Sequence, residues 1–512
     1  MTEAPARSAV EGGPNAKLLL LTALLIAVCG LVYELLAGTL ASYLLGDSVT
    51  QFSTVIGVYL SAMGLGAWLS GKIDRGVAER FVEVELAVAV VGGLAAPTLF
   101  FAFAHLSFFR VLLYLFVAAV GTLVGLEIPL LLRVLKDQYA FKDLLARVLT
   151  ADYVGALVAS LLFPIFLVPR LGLVRTGLVF GLINCAVALW STHLLRGAIP
   201  RRRGLQVRAV VIGLILAVGV VFAHKLTRLA EEGMYADPVV YATTTPYQRI
   251  VITRGRTSFQ LFLNGNLQFS SADEDRYHEA LVHPALSMVD HPKRVLVLGG
   301  GDGLATREIL KYPSVEDVQL VDLDPGMTTL ARDFPLMRAQ NQGAFLSPKV
   351  HITNQDAYLW LKEGHGKFDA VVVDFPDPNN FALGKLYTSH FYRLLKRALK
   401  PGAPVVVQST SPLMARRSFW CVAESLEAAG FYTRAYHVNV PSFGEWGYVL
   451  ARDTPFPVPT KLAALPMRFL NAELLPTMFV FSEDTKRVKV EANRLDNQIL
   501  VQYYDEEWKR WN

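Results

Sequence analysis

A chain of 512 residues is too long for one ordinary domain. Hydrophobic residues make up 53% and charged residues only 18%, and the average hides a division: residues 17–224 are mostly apolar, whereas those beyond 225 have the mixed composition of a soluble protein. A net charge of +5 is small for this length, and the second half has no lysine/arginine stripe interleaved with aromatics, which argues against nucleic acid as a partner. The three cysteines, Cys29, Cys185 and Cys421, have no spacing that fits a zinc set or a redox pair.

After a short N-terminal tail (1–16), about seven apolar stretches follow, each near the roughly 20 residues that a bilayer requires. They fall near 17–38, 52–71, 83–104, 109–132, 149–168, 172–195 and 206–223. The first is too long for a signal peptide, and no small-residue cleavage site follows it. The expectation is a multi-pass α-helical membrane domain over 17–224, with "RGAIPRRR" anchoring a loop. Glu34, Glu85, Glu127 and Asp152 lie within or beside these stretches. A charge at membrane depth is costly, so each is expected near a headgroup or paired with an arginine such as Arg133 or Arg175. The small residues of "GVYLSAMGLGAWLSG" let helices approach closely.

From Val239 apolar and polar residues alternate, with "NGN" as a turn, which predicts a small antiparallel β-hairpin domain. "DEDRYHEALVHPALSM" reads as a helix that closes this domain over 239–290. Over 291–455, the strand candidates "RVLVLGG", "DVQLVDLD", "VHITNQD", "FDAVVVDF", "APVVVQST" and "YVLAR" alternate with helical stretches. That alternation predicts a parallel, doubly wound, Rossmann-like α/β domain, and 456–512 reads as a C-terminal tail. Ligands of such sheets lie beyond the carboxyl ends of the strands, which selects Asp302, Asp322, Asp356, Asp374 and Gln408.

The turn Gly299-Gly300-Gly301-Asp302-Gly303 has Leu304 where a dinucleotide fingerprint needs glycine, and no Gly-Lys-Ser/Thr. Asp302 inside the turn would repel a phosphate and suits a cationic ligand. S-adenosylmethionine and its decarboxylated form carry a sulfonium and an amine, and no phosphate. Asp322, ending the second strand, is placed to grip ribose hydroxyls, and Asp356, ending the third, to meet the adenine amino group. "VVVDFPDPNN" puts Asp374 and Asp377 just beyond the fourth strand. Two carboxylates there suit a substrate with two or more amines: one holds a distal ammonium and the other deprotonates the attacking amine.

Over roughly 240–450 the chain resembles the polyamine aminopropyltransferases, the spermidine synthase family. The motifs that carry this are "PYQRI", "LFLNGNLQFSSADEDRYHEALVHP", "VLVLGGGDG", "VDLDP", "NQDAYLWL", "FDAVVVDFPDP" and "LYTSHFYRLLKRALKPGA". The apolar half and "NRLDNQILVQYY" resemble its multi-pass bacterial branch. The resemblance implies a fold of the S-adenosylmethionine-dependent methyltransferase type, with decarboxylated S-adenosylmethionine as co-substrate, putrescine or a related polyamine as acceptor, and a homodimer. By the same resemblance Gln248 and Asp322 hold the nucleoside, Asp356 and Ala357 flank the adenine, and Asp302 holds the aminopropyl ammonium. Tyr277, His278 and Asp377 line the amine channel, Asp374 is the base, and Gln408 is a further pocket residue. Phe443 stands where soluble members often carry a tyrosine, and Trp446 lies beside it. "HEALVH" resembles a zinc helix, but its two histidines, His278 and His283, are five apart and do not share a helix face, so no metal is expected.

Two other readings are a small-amine methyltransferase and a membrane polyamine binder or transporter with a sensor domain. The expected place is the bacterial cell membrane. With seven spans, the lysine and arginine distribution puts the N-terminus in the cytoplasm and residues 225–512 outside. The nucleoside donor is made in the cytoplasm. If 206–223 instead lies along the interface, six spans remain and the catalytic half faces the cytoplasm, which is the favoured expectation.

Overall fold

The computed structural model describes residues 14–45, 48–106, 108–136 and 141–510. The chain divides into two compact units, Met1–Val239 and Val240–Asn512.

The first unit is helical: α1 (Pro14–Leu45), α2 (Ser48–Ser70), α3 (Val77–His105), α4 (Phe109–Leu135), α5 (Phe141–Leu162), α6 (Val168–Leu194) and α7 (Arg202–Glu232). Among the described residues, six continuous stretches are long and apolar enough to cross a membrane. One of them, Lys142–Leu194, has 53 residues. At about 1.5 Å per residue it would be more than twice the roughly 30 Å apolar layer. It joins the segments expected at 149–168 and 172–195 through a π-helical turn, Phe163–Leu167, and breaks at Gly172 (φ 73°, ψ 171°). The segment 206–223 belongs to α7, which packs along α3 and α6 with Leu216 seated against Gly93 and Gly181.

The small residues serve the close approach that their spacing implies. A Cβ on Gly66 of α2 would lie 2.0 Å from the carbonyl oxygen of Thr122 on α4, and one on Gly125 would lie 2.2 Å from that of Met63. Polar groups turn inward. Tyr33 donates to Asn184 Oδ1 at 3.0 Å, Asn184 Nδ2 donates to Glu85 Oε2 at 3.0 Å, and Glu127 is buried. This corrects the expected arginine pairing, because the partner of Glu85 is Asn184 and Arg133 donates to the carbonyl of Ser70 at 2.9 Å. Trp68, Leu115, Ile165 and Val221 are exposed, so the unit is apolar outside and locally polar inside.

The second unit opens with a four-stranded sheet in the order β1 (Val239–Thr244), β2 (Arg249–Arg254), β3 (Phe259–Leu263), β4 (Asn266–Ser270). Asn264 and Gly265 both have positive φ, 51° and 81°, as a two-residue hairpin turn requires. Helix α8 (Glu274–Leu286) follows. The main sheet contains β5 (Arg294–Gly299), β6 (Asp317–Asp322), β7 (Val350–Asn354), β8 (Ala370–Asp374), β9 (Val405–Gln408), β10 (Tyr432–Val440) and β11 (Gly444–Arg452). Their order is β10-β11-β9-β8-β5-β6-β7, with β9-β8-β5-β6-β7 parallel and β10 and β11 antiparallel additions. Alternate side chains of β5 serve two cores: Val295 and Val297 face one, Leu296 and Leu298 the other.

Residues 456–510 pack onto the second unit. Phe456, Leu470, Leu475 and Met478 enter one core and Leu500, on the last helix Ile499–Trp508, enters the other. Glu279 of α8 accepts the backbone N–H groups of Arg468, Phe469 and Leu470 at 2.7–2.8 Å, which pins this irregular segment without a strand or helix.

Candidate active site

The strand order reverses direction at β5, which has β6 on one side and β8 on the other, so a crevice opens beyond their carboxyl ends. The glycine turn fills its floor. Gly299 and Gly300 have φ of 80° and 64°, and a Cβ on Gly299 would lie 2.2 Å from the carbonyl oxygen of Asp374. A Cβ on Gly301 would lie 2.7 Å from Asp322 Oδ2. Only glycine lets the backbone at the end of β8 and the Asp322 carboxylate approach the turn so closely. Gly300 N donates to Asp374 O at 3.0 Å, and Asp302 Oδ1 accepts Leu304 N at 2.9 Å.

Asp374 is half-buried, and Tyr277 of α8 donates its hydroxyl to Oδ1 at 2.7 Å. Desolvation and the charge of Asp302 raise the Asp374 carboxyl to about 6, against the opposing pull of His278 and Tyr277. Asp302 is raised as well, chiefly by desolvation. His278 Nδ1 lies 2.9 Å from both the carbonyl oxygen and Oε2 of Glu274. Both partners are acceptors, so Nδ1 carries a hydrogen. Burial opposes a charge on His278, but Glu274, Asp302 and Asp374 outweigh it and raise the ring to about 9. Glu274 is gripped in turn by Arg307 (2.6 and 2.9 Å) and Gln340 (2.6 Å).

Asp377 lies on the loop after β8. Its Oδ2 accepts the hydroxyls of Thr410 and Tyr504, each at 3.0 Å, and Gln408 Nε2 lies 3.3 Å from Oδ1. Gln408 is committed to the protein: Nε2 also donates to Phe375 O at 2.6 Å, and Oε1 accepts Thr410 N at 3.0 Å. It therefore holds the loop that carries Asp377. Asp322 accepts Asp324 N at 2.9 Å, and desolvation raises it to about 6. Gln248 reaches this corner through Asp324, donating to Oδ2 at 2.8 Å. Asp356 caps the helix Ala357–Glu363 through Tyr358 N at 2.8 Å, and its Oδ2 pairs with Lys385 Nζ at 2.5 Å. Phe443 lies between Tyr277 and Trp446, with ring centroids 6.1 and 4.9 Å away.

Four acids thus lie at the carboxyl end of the parallel strands, three of them at or just beyond strand ends and Asp302 in the turn. The sequence profile of the spermine/spermidine synthase domain matches residues 274–457. A polyamine aminopropyltransferase of Leptospira interrogans is 50% identical over 496 residues, covering 96% of this chain and 99% of its own. The chain belongs to the polyamine aminopropyltransferase family. Polyamine aminopropyltransferase 2 of Ralstonia nicotianae is 52% identical over 500 residues, covering 96% of this chain and 98% of its own. The likeness to these aminopropyltransferases therefore includes the helical unit. A crystal structure of spermidine synthase with the transition-state analogue AdoDATO aligns with 48% of this chain and 85% of its own, at 26% identity and a TM-score of 0.45.

Sequence reasoning missed Glu274, Arg307 and Tyr504. Glu274 lies four residues before His278, a helix-neighbour spacing that was readable. Arg307 and Tyr504 act across 33 and 127 residues and left no local signal of their partners. His283, read against a zinc helix, lies 2.8 Å from Glu308 and 3.1 Å from Tyr312.

Proposed function

We propose that the chain transfers the aminopropyl group of decarboxylated S-adenosylmethionine to putrescine or a similar polyamine, with Asp374 as general base. The observation that carries this is the placement of Asp374: a carboxylate at the end of β8, held by Tyr277, against the glycine turn that bears Asp302. The nucleoside lies over the turn with its ribose toward Asp322 and its aminopropyl ammonium toward Asp302. The acceptor's far ammonium rests on Asp377. Asp374 takes the proton of the near ammonium, and the freed nitrogen lone pair attacks the methylene next to sulfur. The C–N bond forms as the C–S bond breaks, and its electron pair neutralises the sulfonium. Methylthioadenosine leaves. The leaving group is good, so the protein's share is alignment and proton removal.

Gln408, Gln248 and Asp356 enter this reading as supports: Gln408 holds the loop after β8, Gln248 donates to Asp324, and Asp356 pairs with Lys385. The helical unit is assigned to the cell membrane as a multi-pass anchor, on its apolar exterior and the length of its helices. The catalytic unit is assigned to the cytoplasmic side, where the donor is made. The purified protein, given intact and decarboxylated S-adenosylmethionine with a panel of amines, tests the reaction by mass spectrometry. Aminopropylated product from the decarboxylated donor alone is expected, and methylated product from the intact donor would overturn the reading.

A further inference from the structure

The matched synthase domain ends at residue 457, so that match assigns nothing to Tyr504. Yet the last helix, Ile499–Trp508, is fixed in place with one face toward the site. Leu500, Tyr504, Glu507 and Trp508 recur at i, i+4, i+7 and i+8, one helix face. Leu500 is buried in the core. Glu507, also buried, accepts the backbone N–H groups of Arg417 (2.9 Å) and Ser418 (3.2 Å), the opening residues of the helix Arg416–Ala428. A carboxylate at a helix N-terminus satisfies its free N–H groups and opposes its dipole favourably. Arg417 lies over the Tyr503 ring at 4.6 Å, and Val501 and Gln498 close on Gly384. These contacts set the rotation of the helix, and that rotation delivers the Tyr504 hydroxyl to Asp377 Oδ2 at 3.0 Å.

We infer that Tyr504 is a positioning residue for the amine acceptor: its hydroxyl fixes the Asp377 carboxylate and, with its free lone pairs, completes a cage for the acceptor's distal ammonium. The inference rests on the reading that Asp377 holds that ammonium. Asp377 is half-buried and takes its hydrogen bonds from Thr410, Gln408 and Tyr504, all uncharged. The carboxylate is oriented without being neutralised, which leaves its charge for a cation. A tyrosine oxygen that donates one hydrogen bond still accepts from an N–H.

The test uses the full-length protein in detergent or nanodiscs. Tyr504→Phe keeps the ring and removes the hydroxyl. It is expected to raise the KM for putrescine about tenfold, the range of one hydrogen bond to a charged group. The kcat and the affinity for methylthioadenosine should be nearly unchanged, the pattern of lost binding shared by ground and transition states. Trp508→Phe, one turn further along the same face, controls for helix packing and should leave the KM unchanged. An unaltered KM in Tyr504→Phe overturns the inference. So does a matching KM rise in Trp508→Phe, or weakened methylthioadenosine binding in Tyr504→Phe. Asp377→Asn separates the two levels: if it raises the KM while Tyr504→Phe does not, Asp377 keeps its role and only Tyr504 loses its own. An unchanged KM in Asp377→Asn removes both.

Discussion

Asp374 must be ionised at neutral pH and still basic enough to take a proton from an amine. Burial and Asp302 bring it to about 6, close to that balance. Asp374→Asn preserves the shape and the Tyr277 contact but cannot accept a proton. Turnover should fall at least about a hundredfold, in the usual range for a general base, with methylthioadenosine affinity little changed. Steady-state kinetics and calorimetry check the two halves, and near-normal turnover would remove Asp374 from the role. A pH dependence follows with a definite sign. The active form is the carboxylate, so kcat/KM should fall as pH drops through about 6, toward tenfold per unit. The fall should be reversible and not reflect unfolding. Asp374 and Asp322 have folded-state values raised above the ordinary carboxylate value, so their protonation at low pH favours the folded state. Glu274 is lowered because His278 and then Arg307 outweigh its burial, so its contribution is present above the ordinary glutamate value and is lost only well below pH 5. Tryptophan fluorescence that changes in step with activity between pH 7 and 5 would contradict this.

Elements differ in how openly the sequence announces them. β5, β6, β8 and β9 are short apolar runs that end in turn or acidic residues, and the four-stranded sheet shows itself in the alternation of β1 and in the positive-φ turn between β3 and β4. The strand ends and the glycine turn therefore yielded Asp302, Asp322, Asp374 and Asp377 directly. β10 was not picked out: only Tyr436, Val438 and Val440 are buried in alternation, and Thr433 and Arg434 leave its first half without an apolar pattern. The segment after 456 was illegible for another reason. Its hold comes from side chains capping distant backbone, as Glu279 does for Arg468 to Leu470, and no local period encodes that. In the helical unit the small residues were legible, and they make a sharp prediction. A Cβ on Gly66 meets the backbone of α4 at 2.0 Å, which no side-chain rotation relieves. Gly66→Ala should destabilise the unit by about 1–3 kcal/mol or more. Gly57→Ala, on the same helix with nothing within 4 Å, should be neutral or slightly stabilising. Thermal unfolding of the protein in nanodiscs compares them, and equal midpoints would mean that α2 and α4 are not packed this closely.

At the scale of the whole molecule, charge and chemistry point to opposite faces of the membrane. Seven crossings put the two chain ends on opposite sides, and the lysines and arginines near the N-terminus, at 72–80, at 133–147 and at 196–208 favour a cytoplasmic N-terminus. Residues 240–512 would then lie outside, away from the donor. The six-span escape needs 206–223 to lie flat at the interface, but α7 packs along α3 and α6 as a member of the bundle. We weigh donor supply above the charge bias, because an aminopropyltransferase without donor has no reaction to perform, whereas loop charge biases orientation without fixing it and can be overridden. The expected outcome has two parts. A reporter active only in the cytoplasm should work when fused after Asn512. A reporter placed in the loop between α6 and α7 should report the opposite face, as a crossing by α7 requires. Activity after Asn512 of a reporter that works only outside the cytoplasm would overturn the placement and require the donor to be carried across. The same face at both sites would mean that α7 does not cross.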